Sequence, residues 1–160
     1  MAAYALLSWP PHAMAYVVAP VIVARRGRRH GWRDGRPGPL NRFGLLPIAG
    51  GATLIGWSIT SHYRASPDGL MSLRAAARRM TPEYLVTDGA YGLTRNPLYV
   101  GGALMWTGWA MLFGNARIVG AGSALFSGLA TVGTPFEERV LEKTFGAVYA
   151  DYRARVPRWL

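Results

Sequence analysis

The sequence predicts an all-α, polytopic membrane protein with about four transmembrane helices. The last two of these form a short hairpin in the C-terminal half, and an amphipathic C-terminal helix follows. Three observations carry the prediction. Hydrophobic residues make up 51% of the 160 residues and charged residues 16%, against about 25% charged in a soluble domain. The charges are segregated: 43–61, 98–116 and 118–136 carry none, and 2–24 carries only His12. Each run approaches the ~20 residues a spanning helix needs, and four of them leave too little polar surface to enclose as a soluble core. Finally, only Asn115, Ala116 and Arg117 join the last two segments, 97–114 and 118–134, a link short enough to force an antiparallel hairpin. The length fits one domain over 1–160, in which 1–61 is a helical pair with a basic loop and 62–160 the part expected to hold a cofactor.

The first segment, 2–24, contains Pro10, Pro11 and Pro20; it is kinked or begins after Pro11, because proline removes a helical donor. Its first positive charge is Arg25, so no cleaved signal peptide is expected. The connection 25–42 is rich in Arg, Gly and Pro and reads as irregular. The second segment, 43–61, contains Gly50, Gly51 and Gly56, which permit close helix approach. In the polar connection 62–96, Ser66-Pro67-Asp68-Gly69 marks a turn and 70–80 reads as a short basic amphipathic helix on the membrane surface. Segments three (97–114) and four (118–134) follow; Gly120, Ala124 and Gly128 place small side chains on one face for packing. Thr134, Pro135 and Glu137 fit an N-cap, a first-turn proline and a capping box, so a new helix should start there. Its apolar stripe is Leu141, Phe145, Val148 and Tyr152.

The net charge of +10 does not point to nucleic acid. Seven of the eighteen basic residues lie in 25–42, between two apolar runs, where arginines meet anionic lipid head groups. With four crossings, ten Lys and Arg lie on the side of the 62–96 connection and eight on the other, so the positive-inside bias is nearly balanced. There are no cysteines, which excludes thiolate metal sites and a cysteine nucleophile. Three scattered histidines make no metal site, and His12 and His62 read as structural or interfacial. The chain has no GxGxxG after a strand, no P-loop, no HExxH and no GxSxG.

Polar residues cluster at the mouth of the hairpin, in Leu85-Val86-Thr87-Asp88-Gly89-Ala90-Tyr91 and Arg95-Asn96-Pro97-Leu98-Tyr99, and again at Glu137-Glu138. Asn96-Pro97 reads as a helix start, whose free amides also attract a carboxylate; Arg95 could reinforce that or anchor to phosphate. Consecutive carboxylates near hydrocarbon are costly unless paired with positive charge, which a ligand ammonium or sulfonium would supply. Tyr149 and Tyr152 read as interfacial aromatics.

Taken with Leu141, Phe145-Gly146, Tyr149, Tyr152 and Val156-Pro157-Arg158, these runs resemble the isoprenylcysteine carboxyl methyltransferase family, and the related phospholipid methyltransferases share part of the pattern. The resemblance covers about 83–158. It implies a short, helical, prokaryotic-type membrane enzyme using S-adenosyl-L-methionine. Carried over by position, Tyr84, Leu85, Val86 and Tyr91 would line one wall of the cofactor, Asn96, Pro97, Leu98 and Tyr99 the other, and Glu137 would meet its amino or sulfonium end. Arg95 and Glu138 are the candidate catalytic residues, with Arg95 orienting an anionic acceptor. Many members have His where this chain has Asn96, which excludes a titrating role there. Eukaryotic prenylcysteine enzymes have an arginine one turn before the glutamate pair; here that position is Gly133, and a small lipophilic acceptor is implied in place of a prenylated protein. No metal is implied, and the implied partners are the bilayer, its anionic lipids and a small lipophilic substrate. The resemblance places the chain in the cell inner membrane with its site facing the cytoplasm. Two other readings stay open: a sterol-reductase-like NADPH enzyme, and a non-catalytic membrane scaffold.

Overall fold

The computed structural model describes residues 14–65 and 84–160. His12, Pro10, Pro11, the 66–69 turn and the 70–80 surface helix lie outside those residues. Helix α1 (Met14–Ala24) opens with a π-helical turn over Met14–Val18. Pro20 has no N–H, so the carbonyl of Tyr16 loses its α-helical donor and that of Ala15 its π-helical one. Two indoles supply the missing bonds: Trp109 Nε1 donates to Tyr16 O at 2.9 Å and Trp106 Nε1 to Ala15 O at 3.0 Å. The proline thus decides where α1 docks.

The basic connection is more ordered than its composition suggests. Strands β1 (Trp32–Arg33) and β2 (Arg36–Pro37) pair antiparallel around Asp34 and Gly35, both at positive φ (48° and 72°). That is the two-residue turn an Asp-Gly pair favours. A short helix α2 (Pro39–Arg42) follows, then α3 (Leu45–Ala65).

Helix α4 (Pro97–Phe113) runs antiparallel to α3 along a seam of glycines. A Cβ on Gly44 would lie 2.4 Å from Gly108 O, and one on Gly51 would lie 2.4 Å from Gly101 O. Each pair is seven residues along from the other, so the backbones stay in contact over two turns. Of the three glycines expected to allow close approach, only Gly51 does; Gly50 and Gly56 face open space. Ser58 and Ser61 continue the seam as buried residues.

The predicted hairpin forms. Gly114 (φ 55°) ends α4, and Asn115 caps the next helix by accepting from Arg117 N at 2.9 Å. Helix α5 (Ala116–Phe145) is continuous through a π-helical turn at Leu129–Gly133. Thr134 has helical angles (φ −60°, ψ −46°) and its side chain caps nothing. The expected helix start and capping box are therefore absent: in an apolar setting the helix absorbs Pro135 by widening one turn instead of breaking. Gly120, Ala124 and Gly128 point outward, and it is Gly122 that meets a neighbour, the Trp106 ring.

The C-terminal stripe also shifts. Gly146 (φ 53°) breaks the helix before α6 (Ala147–Arg155), which advances the inward face by one residue. Val148 is 63% exposed, while Tyr149 (1%) and Tyr152 (3%) are buried with Val156 against Leu85, Leu141 and Phe145. The two tyrosines are core residues and not interfacial ones. The architecture is mostly helical, as expected. Two of the described helical runs, not four, are long and apolar enough to cross a membrane, Pro39–Ala65 and Ala116–Phe145; α4 is uncharged but has 17 residues, and α1 is described only from Met14.

Gly51→Ala and Gly108→Ala are each expected to destabilise the detergent-solubilised protein by about 1–3 kcal/mol, read as a lower thermal midpoint. Gly50→Ala and Gly56→Ala should leave it unchanged or raise it slightly. Equal effects at all four positions would refute the seam.

Candidate functional site

The start of α4 is stitched to the C-terminal tail. Arg95 N donates to Pro157 O at 2.9 Å, Thr94 Oγ1 to Arg158 O at 2.8 Å, and Asn96 Nδ2 to the same carbonyl at 3.1 Å. Asn96 holds the N-cap position, yet its side chain bonds the tail and not the helix amides. It is buried, as are Thr94 and Pro97.

This stitching delivers Arg158 to Glu138, twenty residues before it and one helix away. Arg158 Nε donates to Glu138 Oε1 at 3.1 Å and its Nη2 to Oε2, a two-point pair. Arg95 Nη2 reaches Oε1 at 2.9 Å, and Arg95 Nη1 donates to Arg153 O at 3.0 Å. The Arg95 side chain is 9% exposed and that of Glu138 10%. The two candidate catalytic residues are therefore each other's partner; among the described residues Arg95 Nε is the one buried guanidinium nitrogen left without a bond.

Glu137 differs sharply from its neighbour. It accepts from Tyr99 OH at 3.2 Å, and among the described residues no cation pairs with it. Thr134, on the same face of α5 as Glu138, is fully buried with Oγ1 unpartnered, and so is the hydroxyl of Tyr149. Glu137, exposed and without a cation among the described residues, fits a ligand that brings its own positive charge.

The segment before α4 forms another wall. Tyr91 closes a short 3₁₀ turn (Gly89–Gly92); its hydroxyl lies 2.8 Å from His62 Nε2, and its carbonyl accepts from Tyr152 OH at 2.8 Å. Tyr84 meets the His62 ring edge-on. Leu85 packs on the Tyr149–Tyr152–Val156 cluster, Val86 is buried, and Leu98 packs toward α1 and α3. His62 is the residue that sequence reasoning set aside: it orders Tyr91, and its Nδ1 is buried without a partner. No pattern in the chain joins two residues 29 apart, so only the fold reveals the pair. Among the described residues no group of His, Cys, Asp or Glu could hold a metal.

Removing one member of the Glu138 triad strands a buried charge. Glu138→Ala is expected to destabilise by about 3–5 kcal/mol in a denaturation or thermal-midpoint assay, and Glu137→Ala by far less. A Glu138→Ala protein as stable as the parent would show the triad to be ornamental. Burial also pushes the phenols of Tyr149 and Tyr152 above the usual tyrosine value. Their stability contribution is complete below pH about 10 and declines as pH rises toward the folded values, because the folded state then holds more protons than the unfolded one. Thermal midpoints should fall above pH about 10, and Tyr152→Phe should flatten that fall; an unchanged slope would contradict the assignment.

A family profile described as phospholipid methyltransferase matches residues 42–148, which takes in α3, α4, the Tyr84–Tyr99 wall and Glu137-Glu138. Over 82 residues the chain is 35% identical to the protein-S-isoprenylcysteine O-methyltransferase of Schizosaccharomyces pombe. That stretch covers 51% of this chain and 35% of the relative, so the match spans about a third of that protein's length. No solved structure matches. On the extent of the profile match, with the hairpin mouth and the glutamate pair inside it, the chain belongs to the phospholipid methyltransferase family.

Proposed function

We propose that this protein is an integral membrane methyltransferase, transferring a methyl group from S-adenosylmethionine to a small lipophilic carboxylate, thiol or amine at the membrane interface. Family membership and the activity in the relative's name support the reading. The single observation that carries it is the unequal treatment of two adjacent carboxylates. Glu138 is neutralised by Arg95 and Arg158, whereas Glu137 has Tyr99 and no cation among the described residues. A carboxylate left in that state beside apolar helices is costly, and a cationic ligand relieves the cost.

S-adenosylmethionine, when bound, supplies an electrophilic methyl group on a sulfonium. Glu137, oriented by Tyr99, offers the counter-charge. Tyr84, Leu85, Val86 and Tyr91 form one wall, with Tyr91 fixed by His62 and Tyr152. Asn96, Pro97, Leu98 and Tyr99 form the other, fixed by the tail. The chain's work is alignment and exclusion of water. Glu138 holds Arg95 in place, and the free Arg95 Nε–H is the donor available to an anionic acceptor. On this reading the site faces the cytoplasm from the inner membrane, an orientation supported by the family resemblance alone.

The test is calorimetric titration of the purified full chain with S-adenosylhomocysteine and, separately, NADPH. Saturable binding of the first is expected, weakened at least about tenfold (~1.4 kcal/mol) by Glu137→Ala in a protein with an unchanged circular dichroism spectrum. Binding of NADPH alone would replace the proposal with a reductase. Binding of neither by folded protein would leave a membrane scaffold.

A further inference from the structure

We propose that the folded connection between α1 and α3 is a binding site for anionic phospholipid head groups, at the end of α4 opposite the candidate active site. The segment 25–42 contributes seven arginines and one acid, Asp34, and Arg117 joins it from the start of α5. All eight arginines are exposed, and among the described residues none is in an ion pair. Against eight arginines the segment offers one acid, Asp34, so among the described residues this surface keeps a large net positive charge.

The surface is also built. His30 N donates to Gly114 O at 2.9 Å, Trp32 Nε1 to Leu112 O at 2.9 Å, and the buried Asn41 donates to Met111 O at 2.8 Å and His30 O at 3.1 Å. These bonds use the last carbonyls of α4, which a helix leaves without partners. Trp32 stacks on Phe113, and the Arg29 guanidinium lies 4.6 Å over the Trp32 ring. Arg29 is thereby held in place by an aromatic face while its donors remain open.

The apolar rim decides the source of the anion. Leu40 (80%), Phe43 (58%), Leu45 (54%) and Leu46 (69%) are exposed directly beside the arginines. Large apolar side chains next to an uncompensated cationic surface match a bilayer, with hydrocarbon against the rim and phosphodiesters against the guanidinium groups. A soluble phosphate or a nucleic acid would leave the rim in water. Helix α4 rises ~25 Å between the two ends, close to the ~30 Å of a hydrocarbon core. The lipid bound here therefore belongs to the leaflet opposite the candidate active site.

The experiment places the full chain in nanodiscs of equal phosphatidylglycerol and phosphatidylcholine and counts retained lipids by native mass spectrometry. The parent should retain phosphatidylglycerol with clear preference. Each arginine near an anionic surface is worth about fivefold, so the combined variant Arg29→Gln, Arg33→Gln, Arg36→Gln should lose the preference by about tenfold or more. Lys143→Gln, exposed on the other end of α5, should keep it. All three replaced side chains are solvated, and an unchanged thermal midpoint in neutral detergent checks that the cap stays folded. No preference in the parent, or a preference that survives the triple substitution, overturns the proposal. So does displacement of the lipid by millimolar glycerol phosphate or by a short oligonucleotide, since each would identify a soluble anion as the occupant.

Discussion

The Glu138 carboxylate, held between Arg95 and Arg158, is the interaction on which the rest of the site depends. Taking one carboxylate and one guanidinium out of water costs several kcal/mol each, and the cost is met only because every partner is positioned by independent bonds. Arg158 is delivered by its own carbonyl, which accepts from Thr94 and Asn96. Arg95 is held by the Arg153 carbonyl. The triad therefore ties α4, α5 and the tail after α6 into one unit. It also engages Arg95 and Arg158, while Arg139, next to the pair in sequence, donates to Pro135 O, and Glu137 is left with Tyr99 and no cation among the described residues.

Elsewhere the governing constraint is that backbone groups inside an apolar bundle must find partners within the protein. Two prolines show two solutions. Pro20 leaves two carbonyls without donors, and two tryptophans on α4 bond them. Pro135 follows the π-helical turn at Leu129–Gly133, which carries the helix through it unbroken. The C-terminus of α4 needs a third solution, and the basic connection provides it with Trp32, Asn41 and the His30 amide. A loop that its composition marks as irregular is folded because a helix end requires it.

What could be read from the sequence follows from the range of the interactions. The helices α3 and α4, the hairpin at Asn115 and the start at Pro97 rest on apolar runs and local punctuation, and they are where the residues put them. Asp34-Gly35 was a readable turn signal, obscured by strands only two residues long. The start at Thr134 failed because a capping sequence and a mid-helix proline look alike locally, and only the surrounding medium separates them. The C-terminal stripe failed through one backbone torsion at Gly146, which turned Tyr149 inward and Val148 outward. Within the site, Tyr91, Asn96, Tyr99 and the glutamate pair stand in recognisable runs. Their partners His62 and Arg158 come from other elements, and no spacing rule joins Glu138 to an arginine beyond a helix break.

The two ends of α4 are held by opposite kinds of chemistry, and the side chains around them set it against the helix dipole, which by itself favours an anion at the N-terminus and a cation at the C-terminus. At its N-terminus the chain pairs Glu138 with two arginines and leaves Glu137 without a cation among the described residues, which is why the proposed ligand there is a cation. At its C-terminus the carbonyls are bonded by neutral donors, Trp32, Asn41 and an amide, and the arginines around them remain unspent. Had the arginines capped the carbonyls themselves, they would have kept their charge but given up donors that an anion could use. Using neutral donors for the helix leaves the guanidinium groups outside to serve the proposed anion-binding face. A single uncharged helix of 17 residues thereby separates the proposed cation site from the proposed anion site by nearly the thickness of a bilayer.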